Sequence, residues 1–147
     1  MASDPAYILG LDIGNVRIGL AKSLWPGGIP SPYKTIKNDD AFMTNLIDIV
    51  NEEKIVMLVV GQPRNLSGDD TRQTESVRDL VEIIKTHIAI PVYYQDEALT
   101  SVKAKKELND RKKPYNKEDI DSLSATYILE DFMNGYEQGV GFEIQLN

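Results

Sequence analysis

The chain of 147 residues has no cysteine and only one histidine, His87. The first absence excludes a disulfide framework, a thiol nucleophile and a thiolate metal site. The second excludes clustered-histidine zinc centres and leaves a Ser-His-Asp triad dependent on one residue. Apolar runs are short, and none approaches the ~20 residues needed to cross a bilayer. The first residues, Met1-Ala2-Ser3-Asp4-Pro5, lack the basic region of a secretory signal. A cytoplasmic protein without a membrane partner is the expectation. The net charge of -7 argues against a general nucleic-acid coat protein. What is present is 41% apolar residues, enough for one core, and the length of one domain spanning residues 1–147.

Charge is unevenly spread. Lys103, Lys105, Lys106, Arg111, Lys112, Lys113 and Lys117 face only Glu107 and Asp110 within fifteen positions, a local balance of +5. Such a run is either a solvated helix end and loop or a phosphate-facing arm. An acidic chain with one basic arm can hold a polyanion if the arm flanks the site.

The hydrophobic pattern predicts an ordered alternation. Strands are expected over residues 7–13, 17–22 and 33–37, the first two joined at Gly14-Asn15, a pair that tolerates positive φ. Asp39 or Asp40 is placed to cap a helix reaching about residue 53, with Met43, Leu46, Ile47 and Val50 on one face. A buried strand over 55–60, a polar loop over 62–70 and a helix over 71–85 follow. A strand over 91–95, a short helix over 101–108, the basic loop 109–117 and a last helix over 118–136 complete the chain, with 135–147 read as a loose end. The implied architecture is α/β: a mixed five-stranded sheet in the order β-β-β-α-β-α-β-α with helices on both faces, as in ribonuclease-H-like folds.

Three carboxylate positions carry the chemistry. Asp12 closes the strand Tyr7-Ile8-Leu9-Gly10-Leu11-Asp12-Ile13, which is apolar on both faces. An ionised acid there needs a partner, either Arg17 across the hairpin or a metal. Asp96-Glu97 lies beyond the strand over 91–95, and only one of the two can share a face with Asp12. Asp121 is aligned with Ala125, Ile128 and Phe132 along a core-facing stripe. Asn116 with Asp119 forms a capping box, which accounts for the acids of the first turn but not for Asp121. Inward carboxylates repel one another, and a divalent cation resolves this. Oxygen ligands without histidine or cysteine suit Mg²⁺ or Mn²⁺. Two such ions ~3.5–4 Å apart activate water and stabilise a leaving phosphodiester oxygen.

These residues carry a resemblance. Leu9-Gly10-Leu11-Asp12-Ile13-Gly14 with Arg17-Ile18-Gly19-Leu20-Ala21 resembles the opening motif of the YqgF-type family, related to Holliday junction resolvases and pre-16S rRNA processing nucleases. Val59-Val60-Gly61-Gln62-Pro63-Arg64-Asn65-Leu66-Ser67-Gly68 resembles its central motif. Asp96-Glu97-Ala98-Leu99-Thr100-Ser101 resembles its third, and Ile120-Asp121-Ser122-Leu123-Ser124-Ala125 its last. The resemblance implies a ribonuclease-H-like fold and a metal-dependent nuclease, acting in maturation of small-subunit ribosomal RNA, with ribosomal assembly intermediates among its partners. It implies Asp12, Glu97 and Asp121 as the metal-binding acids and so selects Glu97 over Asp96. Two positions depart from the family pattern: Ala98 stands where arginine is usual, and Leu24 where an Asp is common.

Nucleic-acid contacts are expected from Arg17, Arg64, Asn65, Arg72, Lys103, Lys106, Arg111, Lys112 and Lys113. Trp25 is expected to cover the sheet edge and His87 to lie at the surface. Three other readings remain: a resolvase acting on branched DNA, a non-catalytic RNA or ribosome-assembly binding module, and a nucleotide-binding domain of the actin and sugar-kinase type. The last needs a second domain, for which 147 residues leave no room.

Overall fold

The computed structural model describes residues 4–65, 67–97, 100–137 and 144–145. Its strands and helices run β1 (Ala6–Ile13), β2 (Arg17–Trp25), β3 (Ser31–Lys37), α1 (Phe42–Glu52), β4 (Ile55–Pro63), α2 (Arg72–His87), β5 (Val92–Glu97), α3 (Thr100–Asp110), α4 (Lys117–Glu137) and β6 (Ile144–Gln145). The strands form one mixed sheet in the order β3-β2-β1-β4-β5-β6. β1 to β3 are an antiparallel meander, and β4 and β5 continue parallel to β1. The expected five strands are therefore joined by a sixth, a two-residue strand paired antiparallel to Val92 and Tyr93 of β5. It lies in the segment read as a loose end. Of that segment, residues 135–137 complete α4, and Gly139-Val140-Gly141 fall outside the described residues.

Alternation along each strand sorts the core into two layers. Leu9, Leu11, Leu58, Val60 and Val92 point to the face covered by α1 and α2. Ile8, Val59 and Tyr93 point to the face covered by α4, where Ile128, Leu129 and Phe132 meet them. The smaller helix α3 packs on α4 through Ala104, Leu108 and Leu123. Trp25 lies against Phe132 and Tyr136, with ring centroids 6.1 and 4.9 Å away, so it joins the layer beneath α4.

Among the helix starts that the described residues include in full, the caps of α2 and α4 follow local chemistry and that of α1 does not. Thr71 caps α2 in a box with Thr74, and Asn116 and Asp119 exchange two 3.0 Å bonds at the start of α4. The start of α1 differs: its N-cap is Ala41, with no side-chain cap. Asp39 instead accepts a bond from the Ala41 amide, closing the turn before the helix. The β1–β2 connection differs too. Among the described residues positive φ occurs at Gly27, Gly68, Lys54 and Lys112, not at Gly14 or Asn15. Gly14 is needed for space, because a Cβ there would lie 2.8 Å from the Arg17 carbonyl oxygen that its own amide binds.

Candidate active site

Asp12 leaves β1 on the α4 face, as alternation from Ile8 and Gly10 requires. Across the sheet it pairs with Gly19 of β2, and Gly61 of β4 lies on its other side, one residue beyond the Leu11–Val60 pair. Both glycines are dictated by α4. A Cβ on Gly19 would sit 2.0 Å from the Asp121 carbonyl oxygen, and one on Gly61 would sit 2.3 Å from the Ile128 side chain. The missing side chains let α4 sink onto the sheet and set its first turns directly over Asp12. Small residues on the helix help: Ser122, Ser124 and Thr126 are buried and return their hydroxyls to carbonyls four residues earlier.

Burial, and then the charge of Asp121, push the Asp12 carboxyl up to about 7. Asp121 itself accepts a 2.6 Å bond from Arg17 Nε. Arg17 therefore pairs with the acid of the last helix rather than with Asp12. Glu97 leaves β5 on the same face as Tyr93 and hence as Asp12, while Asp96 points the other way. Burial, followed by a hydrogen bond to Asp131 and that group's charge, pushes the Glu97 carboxyl up to about 9, with Lys103 opposing and Asp12 adding a smaller push. Glu97 Oε1 is buried without a hydrogen-bond partner.

One cavity of about 290 Å³ joins these groups; Asp12, Glu97, Asp121, Arg64 and Gln73 line it, over the floor of Gly14 and Gly61. Among the described residues no three acidic or histidine side chains are already gathered closely enough to hold a metal ion. Asp12 and Asp121 form one half of the set, and Glu97 is turned toward Asp131. The donor chemistry nonetheless fits a hard divalent cation. Every candidate ligand is a carboxylate oxygen, one of them is an orphaned buried atom, and the like charges around Asp12 call for a cation.

The predicted basic residues separate into groups. Arg64 lines the cavity but is held by Asp70 at 2.5 Å, by Asp96 at 3.1 Å and by Gln62 Oε1 at 2.6 Å. Arg78 grips the second oxygen of Asp70 at 2.6 Å. Asn65 shapes its loop, its Oδ1 accepting from the amides of Ser67 and Asp69. Arg72 is exposed at the start of α2. Lys103 stands over the Tyr127 ring, and Lys106, Lys112 and Lys113 are exposed around the α3–α4 turn. Arg111 pairs with Glu107. His87 is exposed at the end of α2, and Ala98 falls outside the described residues.

Two participants escaped the sequence reading. Asp131 follows Ile128 by three residues and so flanks the core-facing stripe of Asp121; that spacing was the available signal. Gln73, in the first turn of α2, donates from Nε2 to the Ile13 carbonyl at 2.8 Å and ties this helix start to the end of β1. No pattern in the sequence announces that contact.

Comparison with known proteins shows the family and the fold. The family described as "RuvX: Holliday junction resolvase" matches residues 6–135. A protein of Sulfurihydrogenibium sp. named "Putative pre-16S rRNA nuclease" is 40% identical over 129 residues, covering 86% of this chain and 89% of its own. A relative of the same name from Roseiflexus sp. is 33% identical over 138 residues, with 91% and 98% covered. Among solved structures, Thermus thermophilus RuvC in complex with a Holliday junction substrate superposes with a TM-score of 0.59 at 13% identity, covering 95% of this chain and 99% of that one. That likeness shows the ribonuclease-H-like fold alone. With four motifs in order, their acids on one face of this sheet, and a match across nearly the whole chain, the protein belongs to the RuvX family.

Proposed function

We propose that this chain is a divalent-metal-dependent nuclease that hydrolyses phosphodiester bonds of structured nucleic acid, with the 5′ end of pre-16S ribosomal RNA as its substrate. The observation that carries the reading is the meeting of Asp12, Glu97 and Asp121, from β1, β5 and α4, in one cavity. The names of the curated relatives supply the substrate.

Asp12, Asp121 and Glu97 would hold Mg²⁺ or Mn²⁺, which when bound supplies an activated water and neutralises charge on the leaving oxygen. The chain does the rest. Asp12 stands on a central strand with glycine on both sides, so its position is set by the sheet and not by a loop. Arg17 pairs with the Asp121 carboxylate from the neighbouring strand. Glu97, raised to about 9 by burial and by Asp131, would hold a proton in the metal-free protein. Gln73 brings the positive end of the α2 dipole to the cavity wall, where a phosphate oxygen is favoured. The exposed lysines of α3 and the following turn attract the polyanion from outside.

The family description favours a second substrate, a four-way DNA junction. The test is Mn²⁺-dependent cleavage of a pre-16S RNA fragment and of a branched DNA side by side. Cleavage of the RNA that disappears in Asp12→Asn supports the proposal. Cleavage of the junction alone transfers the activity to DNA. Binding without metal-dependent cleavage of either leaves a non-catalytic RNA-binding module.

A further inference from the structure

A second cavity lies outside the acidic cleft. It has a volume of about 250 Å³ and sits between the start of β3, the end of α3, the following turn and the first turns of α4. Pro32, Leu108, Pro114, Tyr115 and Leu123 give it apolar walls, beside the polar Asp119 and Ser122. Arg111 and Lys113 stand on its lining, in the segment where a chain of net charge -7 turns locally to +5. The Tyr115 hydroxyl bonds Asn109 Oδ1 at 2.5 Å, which fixes the ring at the cavity wall. Lys112, between the two basic side chains, has a φ of 57°. This left-handed residue ends α3 sharply, and the chain then turns through Lys113 and Pro114.

We infer that this cavity is a nucleotide subsite, taking one unpaired base of the substrate strand against Tyr115 and Pro114 and its phosphate on Lys113 and Arg111. An apolar slot with aromatic and proline walls takes a base by stacking, whichever base it is. Cations beside such a slot match the one charge that a nucleotide always carries. A purely apolar partner would leave Lys113 unused, and a bare anion would leave the slot unfilled. The placement also suits a strand that continues to the acids. Asp119, Ser122 and Leu123 line this cavity, while Asp121, on the same helical turn, lines the other. The two sites are thus separated by about the 10–12 Å thickness of one helix. The inference rests on the nuclease reading for the identity of the strand, but not for its own test.

That test is a binding measurement in EDTA, where cleavage is excluded. Fluorescence anisotropy would compare a blunt RNA hairpin, the same hairpin with a four-nucleotide single-stranded overhang, and the DNA counterpart of the latter. The expected result is binding at least five-fold tighter for the overhang than for the blunt end. That ratio should fall toward one in Tyr115→Ala and in Lys113→Glu, and Tyr115→Phe should preserve most of it. A 4-thiouridine in the overhang should crosslink to the peptide carrying Tyr115. Because Tyr115 also packs on the small core between α3 and α4, Lys113→Glu serves if Tyr115→Ala fails to fold. Equal affinity for blunt and overhanging hairpins, or a ratio unmoved by Lys113→Glu, overturns the subsite. An overhang preference with no metal-dependent cleavage would overturn the nuclease reading and leave the subsite standing. Preference for the DNA overhang over the RNA one would assign the subsite to DNA.

Discussion

Arg17 Nε lies 2.6 Å from Asp121 Oδ2, joining the first residue of β2 to the second turn of α4 across 104 positions of chain. The pair places a cation beside the acid expected to bind a metal. It thereby keeps Asp121 compatible with the burial of Asp12 beneath it.

Loss of Arg17 should separate those two roles. Both side chains are partly exposed, at 29% and 20%, so solvent screens the pair and it adds little to stability. Arg17→Gln should lower metal-free stability only slightly in urea unfolding. It should also lower the Mn²⁺ concentration needed for half-maximal stabilisation, because one competitor for Asp121 is gone. A higher Mn²⁺ requirement would mean that Arg17 holds Asp121 in the metal-binding geometry.

Asp12 contributes to the pH dependence of the metal-free protein. Its folded-state titration is raised from 3.8 to about 7, so across that interval the folded state binds more protons than the unfolded chain. Stability must fall as pH rises through the window. Asp12→Asn removes the penalty and should stabilise the metal-free protein at pH 8 by up to ~4 kcal/mol, at ~1.4 kcal/mol for each pH unit between 3.8 and about 7. At pH 4 the gain should be close to zero. Equal gains at both values would trace the effect to packing.

Metal binding should release protons. Asp12 titrates near 7 and Glu97 near 9, and both must ionise to act as ligands. The apparent Mn²⁺ affinity, followed by thermal shift in EDTA-stripped protein, should rise at least ten-fold between pH 6 and pH 8.5. Asp12→Asn should remove the part of that response below about pH 7 and leave the part above it, which belongs to Glu97. A flat profile in the wild type would exclude these two groups as a coupled ligand set.

Gly19 is the position least tolerant of a side chain. A Cβ there would meet the Asp121 carbonyl oxygen at 2.0 Å, and neither backbone can yield without lifting α4. Gly19→Ala should cost about 1–3 kcal/mol, the range for forcing volume into a packed interface. It should also lower metal affinity, through the displacement of Asp121 from Asp12. Near-wild-type stability would show that α4 does not sit as closely as described.

The basic turn should govern salt dependence. Lys106 and Lys112 are exposed, and each phosphate contact that they make contributes about one to the slope of log affinity against log salt. Lys106→Ala with Lys112→Ala should flatten that slope by roughly 1–2 and leave the Mn²⁺ response alone. An unchanged slope would place the nucleic acid elsewhere.

Much of this arrangement was legible along the chain. Every helix and the first five strands fall where periodicity placed them, within a few residues. Alternation along β5 allowed only one of Asp96 and Glu97 on the Asp12 face, the family resemblance chose Glu97, and the spacing in α4 turned Asp121 inward. Three features were not legible. The brief β6 has no periodic signal in two residues. Ala41 caps α1 because Asp39 closes the preceding turn, a choice between neighbouring acids that composition does not make. Arg64, one of the residues expected to meet phosphate, is taken up by Asp70, Asp96 and Gln62, a match of geometry among β4, its loop and β5.

By itself the sequence determined which acids face inward, because strand and helix periods are local properties of the backbone. It also settled the family, since four motifs in order leave little choice. Only the tertiary structure decided who partners whom: Arg17 with Asp121, Glu97 with Asp131, Tyr115 with a basic cavity. Such pairings depend on how deeply α4 settles onto a glycine-lined sheet, a distance set by contacts between residues far apart in the chain.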